Sequence, residues 1–180
     1  MVRLRAAGVV ASSFLALSLL LMAATVSTVS AATDCTVFGT SGNDTFIVGP
    51  GQLPTDSIIC GGKGDDTLDD VGFSFVTFSG TFYGGQGDDV VGTIASFSGT
   101  FHGGQGNDTL IFLDIGTFHG GQGNDQATFL LGGPFDAGRG SDSVVIQHGG
   151  TYDGGADSDV LRFDCGGTQV NVESIDACPF

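Results

Sequence analysis

Beyond residue 33, hydrophobic and polar positions follow one another in a recurring order. Large apolar residues stand two places ahead of successive glycine-rich blocks, at Ile59, Phe82, Phe101, Phe118, Phe135 and Tyr152. After each block, alternate positions are again largely apolar: Phe46 and Val48, Val91 and Thr93, Leu110 and Phe112, Ala127 and Phe129, Val144 and Ile146, Leu161 and Phe163. Alternation with period two is the mark of a half-buried strand. Each unit therefore predicts two short strands and two turns. One turn is the glycine-rich block; the other is a tight turn such as Ser79-Gly80, Ser98-Gly99, Gly132-Gly133 or Gly149-Gly150. Glycine recurs too often for a helix interior.

The blocks are themselves a repeat. Gly61-Gly62-Lys63-Gly64-Asp65-Asp66 returns as Gly84-Gly85-Gln86-Gly87-Asp88-Asp89, Gly103-Gly104-Gln105-Gly106-Asn107-Asp108 and Gly120-Gly121-Gln122-Gly123-Asn124-Asp125. Looser copies begin at Gly39, Ala137 and Gly154, and carry Asp44, Asp142 and Asp159 at the sixth position. Successive starts are 22, 23, 19, 17, 17 and 17 residues apart, so the array becomes regular towards its end. A unit of about 17 residues cannot bury an apolar face alone, but stacked on its neighbours it can. The expected fold is all-β, a parallel solenoid with phenylalanines piled inside. The longer first intervals threaten the register there, and Asp157 replaces an expected glycine in the last block.

Before the repeats, Arg3 and Arg5 lead into an apolar run that ends in Val29-Ser30-Ala31-Ala32, the pattern of a secretory signal peptide. Cleavage after Ala31 and after Ala32 fit equally, and an uncleaved anchor is the alternative. The organisation expected is a signal peptide over 1–32, a repeat domain over 33–164 and a C-terminal cap over 165–180, in which Thr168 to Ile175 alternates like a final strand. All 20 acidic residues lie beyond the leader with only Lys63, Arg139 and Arg162, a balance of 3 − 20 = −17. Such a chain should repel nucleic acid and anionic membranes. It also needs cations when its 15 phenylalanines and their neighbours pack. Cys35, Cys60, Cys165 and Cys178 suit two disulfides in an exported protein. Three pairings exist; Cys35–Cys60 and Cys165–Cys178 is preferred, because each pair brackets one end of the array.

The blocks resemble the hemolysin-type calcium-binding (RTX) repeat, Gly-Gly-x-Gly-x-Asp-x-apolar-x. The resemblance covers roughly residues 39 to 163 and implies a right-handed parallel β-roll that binds several Ca2+ ions. Calcium takes six to eight oxygens in a flexible shell, and glycine lets carbonyls converge where a side chain would clash. Asp44, Asp66, Asp89, Asp108, Asp125, Asp142 and Asp159 are the expected bridging carboxylates. By the resemblance, backbone carbonyls complete the shells, from Gly61, Gly62, Lys63 and Gly64; Gly84, Gly85, Gln86 and Gly87; Gly103, Gly104, Gln105 and Gly106; and Gly120, Gly121, Gln122 and Gly123. Only one half of each unit keeps the motif, so a single ladder along one edge is expected, with at most six sites between seven loops.

No nucleophile elbow or H-E-x-x-H motif occurs, and no carboxylate pair outside the repeats stands apart from calcium binding. A non-enzymatic, secreted protein is expected, with calcium ions as its partners and no membrane insertion once the leader is removed. The alternative is an adhesion or matrix module, with an unknown extracellular partner, in which calcium is structural. His102 and His119 occupy equivalent places in adjacent units and should stack at the surface; His148 falls in a turn.

Overall fold

The structure is a computed structural model that describes residues 34–72, 76–112, 115–129, 131–146, 149–164 and 167–177. The leader, the Cys165–Cys178 pairing and His148 lie outside the described residues. The described residues are all-β: short strands coil into a parallel β-solenoid.

Every coil contributes one strand to each of two eight-stranded sheets. The entry sheet, whose strands lead into the acidic loops, comprises Val37–Phe38, Ile58–Lys63, Thr81–Gln86, Thr100–Gln105, Thr117–Gln122, Pro134–Arg139, Thr151–Asp153 and Thr168–Val170. The exit sheet comprises Thr45–Val48, Thr67–Asp70, Val90–Ile94, Thr109–Phe112, Gln126–Phe129, Ser143–Ile146, Val160–Asp164 and Ser174–Ala177. All neighbours pair in parallel, each strand with its counterpart one coil away.

The inward side chains follow the predicted ladder. Ile59, Phe82, Phe101, Phe118, Phe135 and Tyr152 are all buried. Phe82, Phe101 and Phe118 stack with ring centroids 5.2 and 4.9 Å apart. From the exit sheet Phe46, Leu68, Val91, Leu110, Ala127, Val144 and Leu161 face them. One fully buried Phe or Leu contributes about 1.5–3 kcal/mol, so the column is the main apolar support of each coil.

Two expectations need amendment. The long first intervals do not disturb the register of the entry sheet, since Ile59 pairs with Phe82 and Gly62 with Gly85; in the exit sheet a shift follows Val91, where Leu110 pairs with Val91 but Phe112 with Ile94. Their extra residues fall at the edge away from the acidic loops, where Thr77–Phe78 and Ser96–Phe97 form a small third sheet with Phe78 and Phe97 buried. The tail also differs: Thr168 to Ile175 is not one strand. It divides at Asn171, which takes a φ of +53°, and gives one strand to each sheet. At the other end, Cys35 and Cys60 form a disulfide, the pairing preferred because it brackets one end of the array.

Candidate metal centre

At the loop edge of the five central loops three residues join entry strand to exit strand: 64–66, 87–89, 106–108, 123–125 and 140–142. The sequence folds this way because the glycines at the second and fourth positions take positive φ, for example +114° at Gly104 and +132° at Gly106. Space compels glycine too. A β-carbon on Gly106 would stand 2.0 Å from the Gly87 carbonyl oxygen, and one on Gly123 would stand 1.9 Å from that of Gly106. Where Asp157 replaces glycine, it adopts a φ of +88° all the same, so the last loop keeps the shape that its sequence left in doubt.

The sixth-position carboxylates form a continuous ladder. Asp66, Asp89, Asp108, Asp125, Asp142 and Asp159 are at most 1% exposed. Each turns Oδ1 towards the preceding coil, where it accepts the backbone N–H of the equivalent aspartate. These bonds run Asp44 to Asp66 at 2.8 Å, Asp66 to Asp89 at 2.7 Å, Asp89 to Asp108 at 2.8 Å, Asp108 to Asp125 at 2.7 Å, Asp125 to Asp142 at 2.7 Å and Asp142 to Asp159 at 2.9 Å. The Oδ2 atoms of all six are buried and have no hydrogen-bond partner among the described residues.

Burial pushes these carboxyls up from the ordinary aspartate value of 3.8, to about 7 at Asp89, about 8 at Asp108, about 7 at Asp125 and about 6 at Asp142. Asp66 and Asp159 move the same way. Desolvation is the largest cause. The accepted N–H bond opposes it, and the charges of neighbouring carboxylates reinforce it. Buried charge of one sign is tolerated only when paired or coordinated.

Asp44 does not match the other six. It is only half-buried, and its Oδ2 accepts the backbone N–H and hydroxyl of Thr40 at 2.5 and 2.9 Å. Threonine stands here where the motif has its second glycine, and it closes the carboxylate.

The donor set suits a hard cation held largely by backbone oxygens. A β-carbon on the first glycine of a loop would meet two oxygens at once: at Gly61, Asp66 Oδ2 at 2.1 Å and the Gly84 carbonyl of the next coil at 2.7 Å. Gly103 meets Asp108 Oδ2 and the Gly120 carbonyl at the same distances, and Gly120 meets Asp125 Oδ2 and the Ala137 carbonyl at 2.2 and 2.5 Å. The partnerless oxygen of one coil thus faces a carbonyl of the next. Among the described residues no three acidic, imidazole or thiol side chains gather closely enough to hold an ion between them. One carboxylate per loop with converging carbonyls fits Ca2+, which accepts backbone oxygens in a flexible shell. The third-position carbonyls of Gln105, Gln122 and Arg139 lie along the same edge and accept the N–H of Gly87, Gly106 and Gly123.

Sequence reasoning missed two features. The fifth position forms a second ladder of opposite polarity, in which each side chain accepts an N–H from the following coil. It runs from Asn43 to Asp65, Asp65 to Asp88, Asp88 to Asn107, Asn107 to Asn124 and Asn124 to Ser141, at 2.7–3.0 Å. The other feature is Glu173 in the tail, whose carboxylate accepts the Asp159 N–H at 2.7 Å. Its signal was the run Glu173-Ser174-Ile175, which aligns with Asp159-Val160-Leu161.

On the outer face of the entry sheet Tyr83, His102 and His119 stack with centroids 4.7 Å apart, and His119 Nδ1 lies 3.5 Å from Asp136. The pair stacks at the surface as expected.

The family model of the RTX calcium-binding nonapeptide repeat matches the chain in four copies, over residues 36–52, 81–91 and 97–111. Neither the curated proteins nor the solved structures contain a match to the chain.

Proposed function

We propose that this chain, an RTX-type β-roll by its repeats and its stacked parallel coils, is a secreted, non-catalytic protein that folds as it binds several Ca2+ ions between neighbouring loops. The row of six buried, partnerless aspartate oxygens carries the reading. Ionised carboxylates in that position repel one another and lack water. Bound calcium would supply the positive charge that the row otherwise lacks. Asp66, Asp89, Asp108, Asp125, Asp142 and Asp159 supply the charged oxygens, while the positive-φ glycines let the carbonyls approach. The N-terminal leader pattern and the Cys35–Cys60 disulfide support export.

Binding to the folded state alone stabilises it by about 2.7 kcal/mol per site at a hundredfold excess over Kd. Calorimetric calcium titration of the chain without its leader, with circular dichroism in parallel, tests the reading. Uptake of several ions with conversion from coil to β-structure is expected. Full β-structure in EDTA, or no heat of binding, would overturn it.

A further inference from the structure

The last acidic loop, Gly154–Asp159, has no eighth repeat above it, yet the tail supplies equivalents of what a repeat would bring. Over Gly154 the Asn171 carbonyl oxygen stands 2.1 Å from the position of a β-carbon, with Asp159 Oδ2 at 2.6 Å. In earlier coils that carbonyl belongs to the first residue of the next loop, Gly84, Gly120 or Ala137. Likewise the Asp159 N–H, which in earlier coils would meet the next aspartate, meets Glu173.

The chain reaches this arrangement by a shortcut. Asp153 pairs with Val170 before the loop, and Val160 pairs with Ser174 after it. Three tail residues, 171–173, therefore span what six span in the loop below. A shorter path lies further from the edge, and two features compensate. Asn171 takes a φ of +53°, a glycine-like conformation that turns its carbonyl over the loop. Glutamate, one methylene longer than aspartate, covers the remaining distance.

The partnerless oxygens agree. Because each Oδ2 faces the following coil, the six of them mark the five intervals from the loop at Gly61 up to that at Gly154, and then the interval between Gly154 and the tail. The interval between the loops at Gly39 and Gly61 is not among them, since Thr40 closes the Asp44 carboxylate.

We infer that Asp159, the Asn171 carbonyl and Glu173 form a terminal cation seat made by the non-repeat tail, and that the array of sites is displaced one interval towards the C-terminus. This rests on the calcium reading above. In the plain alternative, Glu173 accepts one N–H and serves only as an end cap.

Calorimetric stoichiometry in E173Q and E173D, with the β-structure of each checked in calcium, separates these. Glutamine keeps an acceptor for the Asp159 N–H but loses the charge; aspartate keeps the charge but shortens the arm. Each variant should bind one calcium fewer than the parent while keeping the roll. Terbium emission gives a second readout. The chain has no tryptophan and two tyrosines; Tyr152 is buried and feels the charges of Asp159, Asp142 and Glu173. Terbium emission excited through tyrosine should fall in E173Q and fall further in Y152F. Unchanged stoichiometry and emission in both Glu173 variants would overturn the terminal seat while leaving the calcium reading intact. Loss of the roll in both variants, with calcium present, would make Glu173 a cap and overturn it as well. A parent chain that binds neither ion would remove both readings together.

Discussion

The two edges of the roll are built from the same coils but obey different rules. At the loop edge the connection between strands is three residues long in every coil from the loop at Gly61 to that at Ala137. At the opposite edge the connections include 49–57 and 71–80 in the first coils and 130–133 in a later one. The loop edge is tied by two hydrogen-bonded side-chain ladders of opposite polarity, and its glycines approach the carbonyls of the coil below. An added residue there would break both ladders. The plain edge has close glycines of its own, at Gly80 and Gly99, but among the described residues no side-chain ladder runs from coil to coil there, and its extra residues cover themselves with Phe78 and Phe97. Polar registration forbids a change of length, whereas apolar covering absorbs it.

The sharpest way to break this comparison is a single alanine inserted at each edge. Between Gly106 and Asn107 it should destabilise the calcium-loaded roll by more than about 4 kcal/mol. Between Gly132 and Gly133 the loss should stay under about 1 kcal/mol, because loop length alone costs little. Urea unfolding in calcium reads both; equal losses would refute the difference between edges. A smaller contrast comes from glycine to alanine. Gly72, at the plain edge, has a φ of +76° with nothing within 4 Å of an added β-carbon, whereas Gly106 combines positive φ with the Gly87 carbonyl. Gly72→Ala should cost about 1–2 kcal/mol, the left-handed penalty alone. Gly106→Ala should cost at least twice as much in the same unfolding assay.

A third contrast is that of pH, and the loop edge dominates it. The ladder aspartates have raised pKa values in the fold, up to about 8 at Asp108, so the calcium-free folded state binds protons more tightly than the unfolded chain. Its stability is then fully present below about pH 4 and lost as pH rises through the range about 6–8. Calcium-free circular dichroism should show β-structure gained on acidification from about pH 8 to about 5. Calcium affinity should fall over the same interval, because protons compete for the same oxygens. A calcium-free chain that loses structure on acidification would contradict the buried ladder.

The parallel coils and the loop positions were legible in the chain because glycine and aspartate are required there sterically and chemically. The identical runs Phe78-Ser79-Gly80-Thr81-Phe82 and Phe97-Ser98-Gly99-Thr100-Phe101 also announced the small third sheet, although that signal passed for an ordinary tight turn. The fifth-position ladder was hidden because asparagine and aspartate serve it interchangeably. Asn171 and Glu173 were hidden for a different reason. They reproduce the geometry of a loop without its glycines, and sequence similarity does not register an equivalence of position. Thr40 is the converse case, a single hydroxyl that makes one motif aspartate unlike its fellows.

The spacing of the ladder has a consequence at long range. Parallel strands lie about 4.8 Å apart, so an ionised row carries one charge for each such step. Two unit charges at that distance in water repel by about 0.9 kcal/mol, more than the thermal energy of about 0.6 kcal/mol. A line so charged draws counterions into a sheath, as a nucleic acid backbone does. The loop edge then behaves as a short polyelectrolyte, along which cations concentrate before any single seat captures one.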